Sequence, residues 1–391
     1  MDNVRKITGH ISRYMQYAYL FLFTAILIKY YLLTTMLENS YTYSAYKVVK
    51  WIMLGYVILN MIITVINKGY DSWFDILFSI LLLACAFKVS YTIGEDEVFD
   101  IAMLIVGAKN VPWRKIAYCY LCVAVIIQLI AFYGVHAGMV ADMTYASSGR
   151  GIRRSFGIIY PTDFEAHILF IMIVYVALRD TRLTFIEIII MELFGYATYQ
   201  QTGARNDIIC ITVLCILLCV VKILMIFNIQ LSKHKVMKAG AVIMFIAVIV
   251  CIIGVSFYDP ASDVWNKLDD LLSGRIALSY QGLAQYGIQP FGSFVLEDQT
   301  MLGYSFFLDN SFIRIAIRYG WVLLSLITYV YFVCFNKIVD YRKDYMVVVL
   351  MVMVLFGITE HHLLEIAYCP IWYMLFAGIK KNILIKTNKN G

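Results

Sequence analysis

Arginine placement is the first feature of this sequence that points to chemistry. Ser148-Gly149-Arg150 precedes Arg153, Arg154 and Gly157, and Ser273-Gly274-Arg275 precedes Gly282, so both segments read S-G-R-x6-G. A guanidinium presents a planar fork that holds phosphate or carboxylate through two parallel charge-assisted bonds. Two such segments predict paired anion sites; the alternative is a pair of solvated loops resting on anionic headgroups. A further arginine stands in Thr202-Gly203-Ala204-Arg205-Asn206-Asp207. Gly203 permits a sharp turn, which would hold Arg205 at a surface, facing either an anion or Asp207.

Carboxylates and histidines supply possible proton acceptors. Leu308-Asp309-Asn310-Ser311-Phe312 opens an apolar run, so Asp309 or Asn310 is either a helix N-cap or a polar group at the mouth of a helix bundle. Arg314 and Arg318 follow at i, i+4 spacing and share a helix face, which should look into a polar cavity rather than lipid. Thr359-Glu360-His361-His362, with Glu365 one turn on, reads as a surface cap or as a general base. A metal is not expected there, because no third His or Cys stands nearby in sequence. Asp163, Glu165 and His167 open another run, with Asp163 and His167 able to share a face. Glu187 and Glu192 lie within a run and are expected to neutralise Arg314 or Arg318. Among the aromatics, Tyr280, Tyr286 and Tyr304 could stack on sugar rings.

These residues need elements to position them, and the composition says which. Of 391 residues, 62% are apolar and 15% charged, against about 25% charged in a soluble domain. A soluble globular protein, a disordered tail and a disulfide scaffold are excluded. The expected class is an all-α integral membrane protein, 1–391 forming one polytopic domain of about twelve spans of roughly 20 residues. The runs fall near 14–36, 48–66, 73–90, 98–108, 116–135, 160–178, 183–200, 208–228, 239–257, 311–335, 345–359 and 366–379. The five prolines sit at run ends or in loops, where a missing N–H costs least. The nine cysteines fall almost entirely in apolar runs; Cys119 and Cys122 read as helix residues rather than a redox pair. No small-residue cleavage site follows Arg5, Lys6 and Arg13, so the first run is expected to remain as a span.

Lys and Arg concentrate in alternate loops, which predicts both termini in the cytoplasm of a multi-pass cytoplasmic-membrane protein. The +6 net charge is then an orientation signal, and no nucleic-acid partner is expected. The cytoplasmic loops are short, and neither a P-loop nor a complete G-x-G-x-x-G occurs. The long connections, 136–159 and 258–310 (the latter between the ninth and tenth runs), are expected outside, and with them the active site.

Together these segments resemble the O-antigen polymerase and ligase superfamily. The resemblance rests on Thr202-Gly203-Ala204-Arg205, on Ser273-Gly274-Arg275 with Gln289-Pro290-Phe291-Gly292, and on Asp309-Asn310-Ser311-Phe312 followed by Arg318-Tyr319-Gly320. It covers mainly residues 145–320. Ligases of that superfamily typically carry His where Asp309 stands, so the resemblance points to a Wzy-type repeat-unit polymerase. Its loop motifs are Arg-x10-Gly, whereas the spacing here is Arg-x6-Gly. The resemblance implies a GT-C-like architecture and an inverting glycosyl transfer needing no metal and no cofactor. Donor and acceptor would be polyprenyl-pyrophosphate-linked oligosaccharides held among membrane lipids, with a chain-length regulator and a flippase as partners. Arg205 and Arg275, helped by Arg150, are the expected pyrophosphate ligands. Arg153, Arg154, Asn310, Arg314 and Arg318 are further binding residues. Asp309 is the favoured base, with Glu360 and His361 next. The competing expectations are a ligase for finished polysaccharide and a lipid-linked oligosaccharide flippase.

Overall fold

A computed structural model describes residues 2–37, 41–147, 151–297 and 306–379, with the backbone alone at 2–12, 41–44 and 147. The order is α1 (Asp2–Leu33), α2 (Tyr41–Ile66), α3 (Trp73–Ile93), α4 (Glu97–Gly107), α5 (Trp113–His136), β1 (Thr144–Ser147) and β2 (Gly151–Arg154). Then come α6 (Pro161–Arg179), α7 (Phe185–Thr202), α8 (Arg205–Ile226), α9 (Ile243–Ser256), α10 (Asp263–Leu271) and α11 (Arg275–Tyr286). The chain closes with α12 (Ser311–Arg314), a π-helical turn over Ile315–Tyr319, α13 (Gly320–Asp340) and α14 (Asp344–Thr359). Among the described residues, eight helices are long and apolar enough to cross a membrane. The protein is a multi-pass membrane protein.

Of the twelve expected runs, four fall outside these eight. α7 is 18 residues long, but Glu187 and Glu192 interrupt its apolar surface, and it falls outside the eight. α14 has 16 residues and is buried on nearly every side, a central helix wrapped by protein. α4 has only 11 residues, roughly 16 Å, about half the hydrocarbon thickness. It nevertheless carries the chain from one end of the bundle to the other, antiparallel to α1. The Tyr30 hydroxyl donates to Asp100 (2.7 Å), the Tyr19 hydroxyl to the Leu104 carbonyl (2.8 Å) and the Gln16 amide to the Asn110 carbonyl (3.0 Å).

The run at 366–379 is not a long helix. It is irregular backbone around a 3-10 helix, Pro370–Leu375, buried inside the bundle. Such backbone survives at membrane depth only where protein satisfies its polar groups. Tyr120 donates to the carbonyls of Ala367 (3.1 Å) and Tyr368 (2.7 Å), and Glu97 accepts from Ile366 N–H (2.9 Å). Lys337 Nζ donates to three carbonyls, Met374 (3.0 Å), Leu375 (3.2 Å) and Ala377 (3.1 Å). Lys337→Met leaves those carbonyls without their donor. It is expected to cost about 2–4 kcal/mol and lower the unfolding midpoint in detergent by several degrees.

The two long connections are partly structured. The first contains the β1–β2 hairpin, in register Thr144↔Arg154. The second contains α10, α11 and an extended stretch that docks onto the π-helical turn. Ser293 N–H donates to the Ile317 carbonyl (3.1 Å), Trp321 N–H to Gln289 (3.1 Å) and Val322 N–H to Pro290 (3.2 Å). Gly292 and Gly320 meet at this junction, both with positive φ (78° and 88°). A Cβ on Gly292 would lie 2.0 Å from the Arg318 carbonyl oxygen, and one on Gly320 would lie 2.4 Å from Gly292 N.

Candidate functional site

Asn310 assembles one end of the bundle. Its Oδ1 accepts from Phe312 N–H (2.9 Å) and Ile313 N–H (3.1 Å), so Asn310, not Asp309, is the N-cap of α12. Its Nδ2 donates to the Ile358 carbonyl (2.8 Å) and to Cys251 Sγ (3.3 Å), which ties α12 to the last turn of α14 and to α9. The Ser311 hydroxyl donates to the Glu360 carbonyl. These bonds place Asp309 beside Glu360 although 50 positions separate them in sequence.

Arg275 bridges the two carboxylates. Its Nε lies 3.0 Å from Asp309 Oδ2 and its Nη2 lies 2.8 Å from Glu360 Oε1. Asp269 fixes the start of α11 by accepting from Ile276 N–H (2.8 Å) and Ala277 N–H (3.1 Å). Asn206, on the first turn of α8, donates to the same Glu360 oxygen (3.2 Å). Burial pushes the Glu360 carboxyl up to about 7, against the pull of Arg275. Folded Glu360 thus holds a proton where an unfolded glutamate, at 4.5, has lost it. Its contribution to stability is present below that range and is lost as pH rises to about 7. Glu360→Gln is expected to remove that decline, seen as a flatter unfolding-temperature profile between pH 4.5 and 7.

A second ionic group adjoins the first. Glu297 takes Arg314 on one oxygen and Arg318 on the other, and Arg318 also pairs with Glu95. The Arg314 guanidinium lies 4.9 Å over the Phe307 ring, and Phe307 packs edge-on against His361 at 4.6 Å. The bundle face expected from the Arg314–Arg318 spacing is therefore real, but Glu297 and Glu95 neutralise it. Glu187 instead caps α7 through Thr184 and pairs with Arg179 (2.7 Å), and Glu192 accepts from Thr212 (2.8 Å).

The two histidines sit between carboxylates. His361 Nδ1 faces Asp309 Oδ1 at 4.0 Å and its Nε2 faces Glu365 Oε1 at 3.7 Å. His362 Nδ1 lies 2.9 Å from Glu365 Oε2 and its Nε2 lies 3.4 Å from Asp163 Oδ1. Burial and the charge on His362 hold His361 well below the ordinary imidazole range, so it is neutral. Burial opposes charge on His362 as well, but Glu365 and Asp163 outweigh it and carry it well above that range. Burial would raise Glu365; His362 overrides this and lowers it.

The remaining candidates scatter. Arg153 donates from Nε to the Thr202 carbonyl (2.6 Å) and packs on Gly203, bracing the turn before α8. Arg154 pairs with Asp142 (2.7 Å) and stacks on Phe156. Arg205 is exposed and makes no ion pair among the described residues, whereas Asp207 is wholly buried, so the two do not pair within the turn. Asp163 and His167 do not act together: His167 is stacked between Tyr31 (4.2 Å) and Tyr368 (4.1 Å). Tyr280 packs on Tyr258 and Tyr286 on Phe306. Ser148, Gly149, Arg150 and Tyr304 lie outside the described residues.

Sequence reasoning missed Glu95 and Glu297, and it read Asn206 and Asp207 only as neighbours of Arg205 in its turn. Glu95-Asp96-Glu97 ahead of the short apolar run at 98–108 was a legible signal, since three acids rarely open a lipid-facing span. Folding also brings potential ligand atoms of Asp309, Glu360 and His361, and of His361, His362 and Glu365, within 4.8 Å of one another. A divalent ion there would meet the Arg275 guanidinium, which already neutralises Asp309 and Glu360, and the charged His362. The charges make an ion-pair network, and the same atoms are close enough together to serve as a ligand set, which the spacing in sequence did not show.

Helices and cluster together define a multi-pass membrane protein with a buried arginine, carboxylate and imidazole network at one end of its bundle. No protein-family model, curated protein or solved structure matches the chain.

Proposed function

We propose that this protein is a glycosyltransferase of the Wzy type, polymerising polyprenyl-pyrophosphate-linked oligosaccharide repeat units at the membrane surface. The observation that carries the reading is Arg275 held between Asp309 and Glu360, within an end of the bundle that also holds Arg314 and Arg318. Glycosyl transfer from a lipid pyrophosphate makes two demands. Charge developing on the departing pyrophosphate needs preplaced donors, and the acceptor hydroxyl needs a base. Arg275 meets the first and is oriented by the carboxylates that meet the second. Asp309 is the more accessible of the two, with 25% of its side chain exposed against 2% for Glu360, and is the preferred base. Glu297 occupies the fork of Arg314 and Arg318, so an incoming phosphate would exchange with a carboxylate already there.

In the reaction the acceptor oxygen bonds to the donor's anomeric carbon from the face opposite the leaving group. The bond from that carbon to the pyrophosphate oxygen breaks, and its electron pair leaves with the pyrophosphate. The acceptor proton passes to Asp309. No nucleotide enters, because the donor arrives activated.

The test uses purified protein in nanodiscs with a lipid-linked single repeat unit, with no nucleotide and with chelator present. A gel ladder of lengthening products is expected. Movement of the same lipid across a sealed vesicle without a ladder would replace this reading with a flippase. Product only on addition of a wall or lipid acceptor would replace it with a ligase.

A further inference from the structure

Asp309, His361, Glu365, His362 and Asp163 alternate carboxylate and imidazole in a spatial series, in which the His362–Glu365 contact is a hydrogen bond and His361 Nδ1 and His362 Nε2 are buried without one. The successive separations are 4.0, 3.7, 2.9 and 3.4 Å. Each imidazole turns one nitrogen to each neighbouring carboxylate, and Glu365 gives one oxygen to each histidine. Three elements supply the series: the residue preceding the N-cap of α12, the turn after α14 and the first turn of α6. A pair of imidazoles each placed between two acids is the arrangement that lets a proton enter a ring at one nitrogen while another leaves at the second. The two longer gaps both flank His361, so the relay requires Asp309 and Glu365 to approach that ring, or a water to bridge each gap, during turnover.

Resting on the polymerase reading, we propose that these five residues form a proton relay that carries the acceptor hydroxyl's proton from Asp309 to Asp163. Asp309 takes the proton as the new glycosidic bond forms and passes it to His361 Nδ1. The Nε2 proton of His361 moves to Glu365, and the Nε2 proton of His362 moves to Asp163. These transfers leave Glu365 protonated and His362 neutral. Rotation of the His362 ring turns its bare nitrogen to Glu365, which hands over its proton and restores the cation. Rotation of the His361 ring turns its bare nitrogen back to Asp309, and Asp163, whose side chain is 13% exposed, releases its proton to water. The arrangement answers a specific difficulty. A proton retained on Asp309 would weaken its pairing with Arg275 and leave the base spent for the next addition.

His361 rests neutral and His362 cationic, so protonating the first and deprotonating the second both run against their resting states, and the relay requires the transfers to be concerted. His361 faces Arg275, Arg314 and Arg318 besides its two acids. His362 faces His167 and His361, and through space Asp207 and Glu360. Glu365 also faces Glu97. Asp163 is a positioning and proton-accepting residue that does not touch the reacting atoms, so its role is separable from binding.

The test compares wild type, Asp163→Asn and Glu365→Gln. The readouts are elongation rate against pH, the solvent deuterium isotope effect, and nuclear magnetic resonance titration of ring-labelled histidine. Expected for Asp163→Asn are an unchanged KM, a kcat lowered about tenfold or more, a shifted pH profile and a larger isotope effect. Glu365→Gln should act likewise and also decouple the titrations of His361 and His362. A wild-type ladder with unchanged kcat, profile and isotope effect in Asp163→Asn overturns the relay and leaves the polymerase standing. An absent wild-type ladder overturns the polymerase instead, and the titrations then decide the relay separately. If Asp163→Asn moves the His361 titration, the series is coupled end to end; if it does not, the relay is overturned. Should either variant fail to fold, His362→Gln read by the same titrations serves in its place.

Discussion

Arg275→Ala is expected to lower the elongation rate by about 100-fold or more in protein that still elutes as a single species, because one preplaced donor to a developing oxyanion is worth that much. The structure adds a second reason for a large effect. Arg275 reaches both Asp309 and Glu360, and without it two carboxylates face one another with Asn206 as their nearest described donor. Glu360 would then hold its proton to still higher pH, and Asp309 would lose its orientation. Arg275→Lys should rescue little. An ammonium is a point charge and cannot lay two nitrogens against two carboxylates in one plane. A lysine variant with more than about half the wild-type rate would show that charge alone suffices and that the bridging geometry is incidental.

Gly320→Ala is expected to be strongly destabilising. The glycine takes φ +88°, where a Cβ is strained, and the added methyl would meet Gly292 N and the Pro290 carbonyl at 2.4 Å. Both contacts are backbone, so no side chain can swing aside. The bonds from Trp321 to Gln289 and from Val322 to Pro290 would break, freeing the extended stretch that carries Glu297 to Arg314 and Arg318. A loss of about 3 kcal/mol or more and a fall of at least tenfold in elongation rate should appear together. Gly138→Ala is the control: its φ is also positive, at +69°, but nothing lies within 4 Å of the added carbon. If both glycine variants lose the same stability, strain rather than loop docking explains the effect.

Much of this was written in the sequence, and for definable reasons. Apolar runs of span length locate helices because lipid forces backbone hydrogen bonds to close within the segment. That argument places the eight apolar spans that α1, α2, α3, α5, α6, α8, α9 and the α12–α13 stretch contribute to within about five residues, though the helices themselves start up to 12 residues before the runs at α1 and 9 residues after at α13. It fails at 98–108 and 366–379, where hydropathy marks burial but not its kind. A run enclosed by protein can be short, like α4, or irregular, like the stretch capped by Lys337. The Asp309-Asn310 and Thr359-Glu360-His361-His362 segments were legible as candidates because polar groups beside long apolar runs need a reason to be there. Their meeting through Asn310 and Arg275 was not legible, since no local pattern encodes a contact between residues 275, 309 and 360.

The sequence alone thus determined the solvent this protein lives in, the positions of its long helices and the residue types available for chemistry. Hydrophobicity and charge are additive along the chain, so a linear reading recovers them. Tertiary structure decided which charges face each other. It put Glu297 rather than Glu187 or Glu192 against Arg314 and Arg318, left Arg205 exposed, and threaded Asp309, His361, Glu365, His362 and Asp163 into one series. Pairings of that kind depend on distance, and in a helix bundle the distance between two side chains is set by packing, not by their separation along the chain.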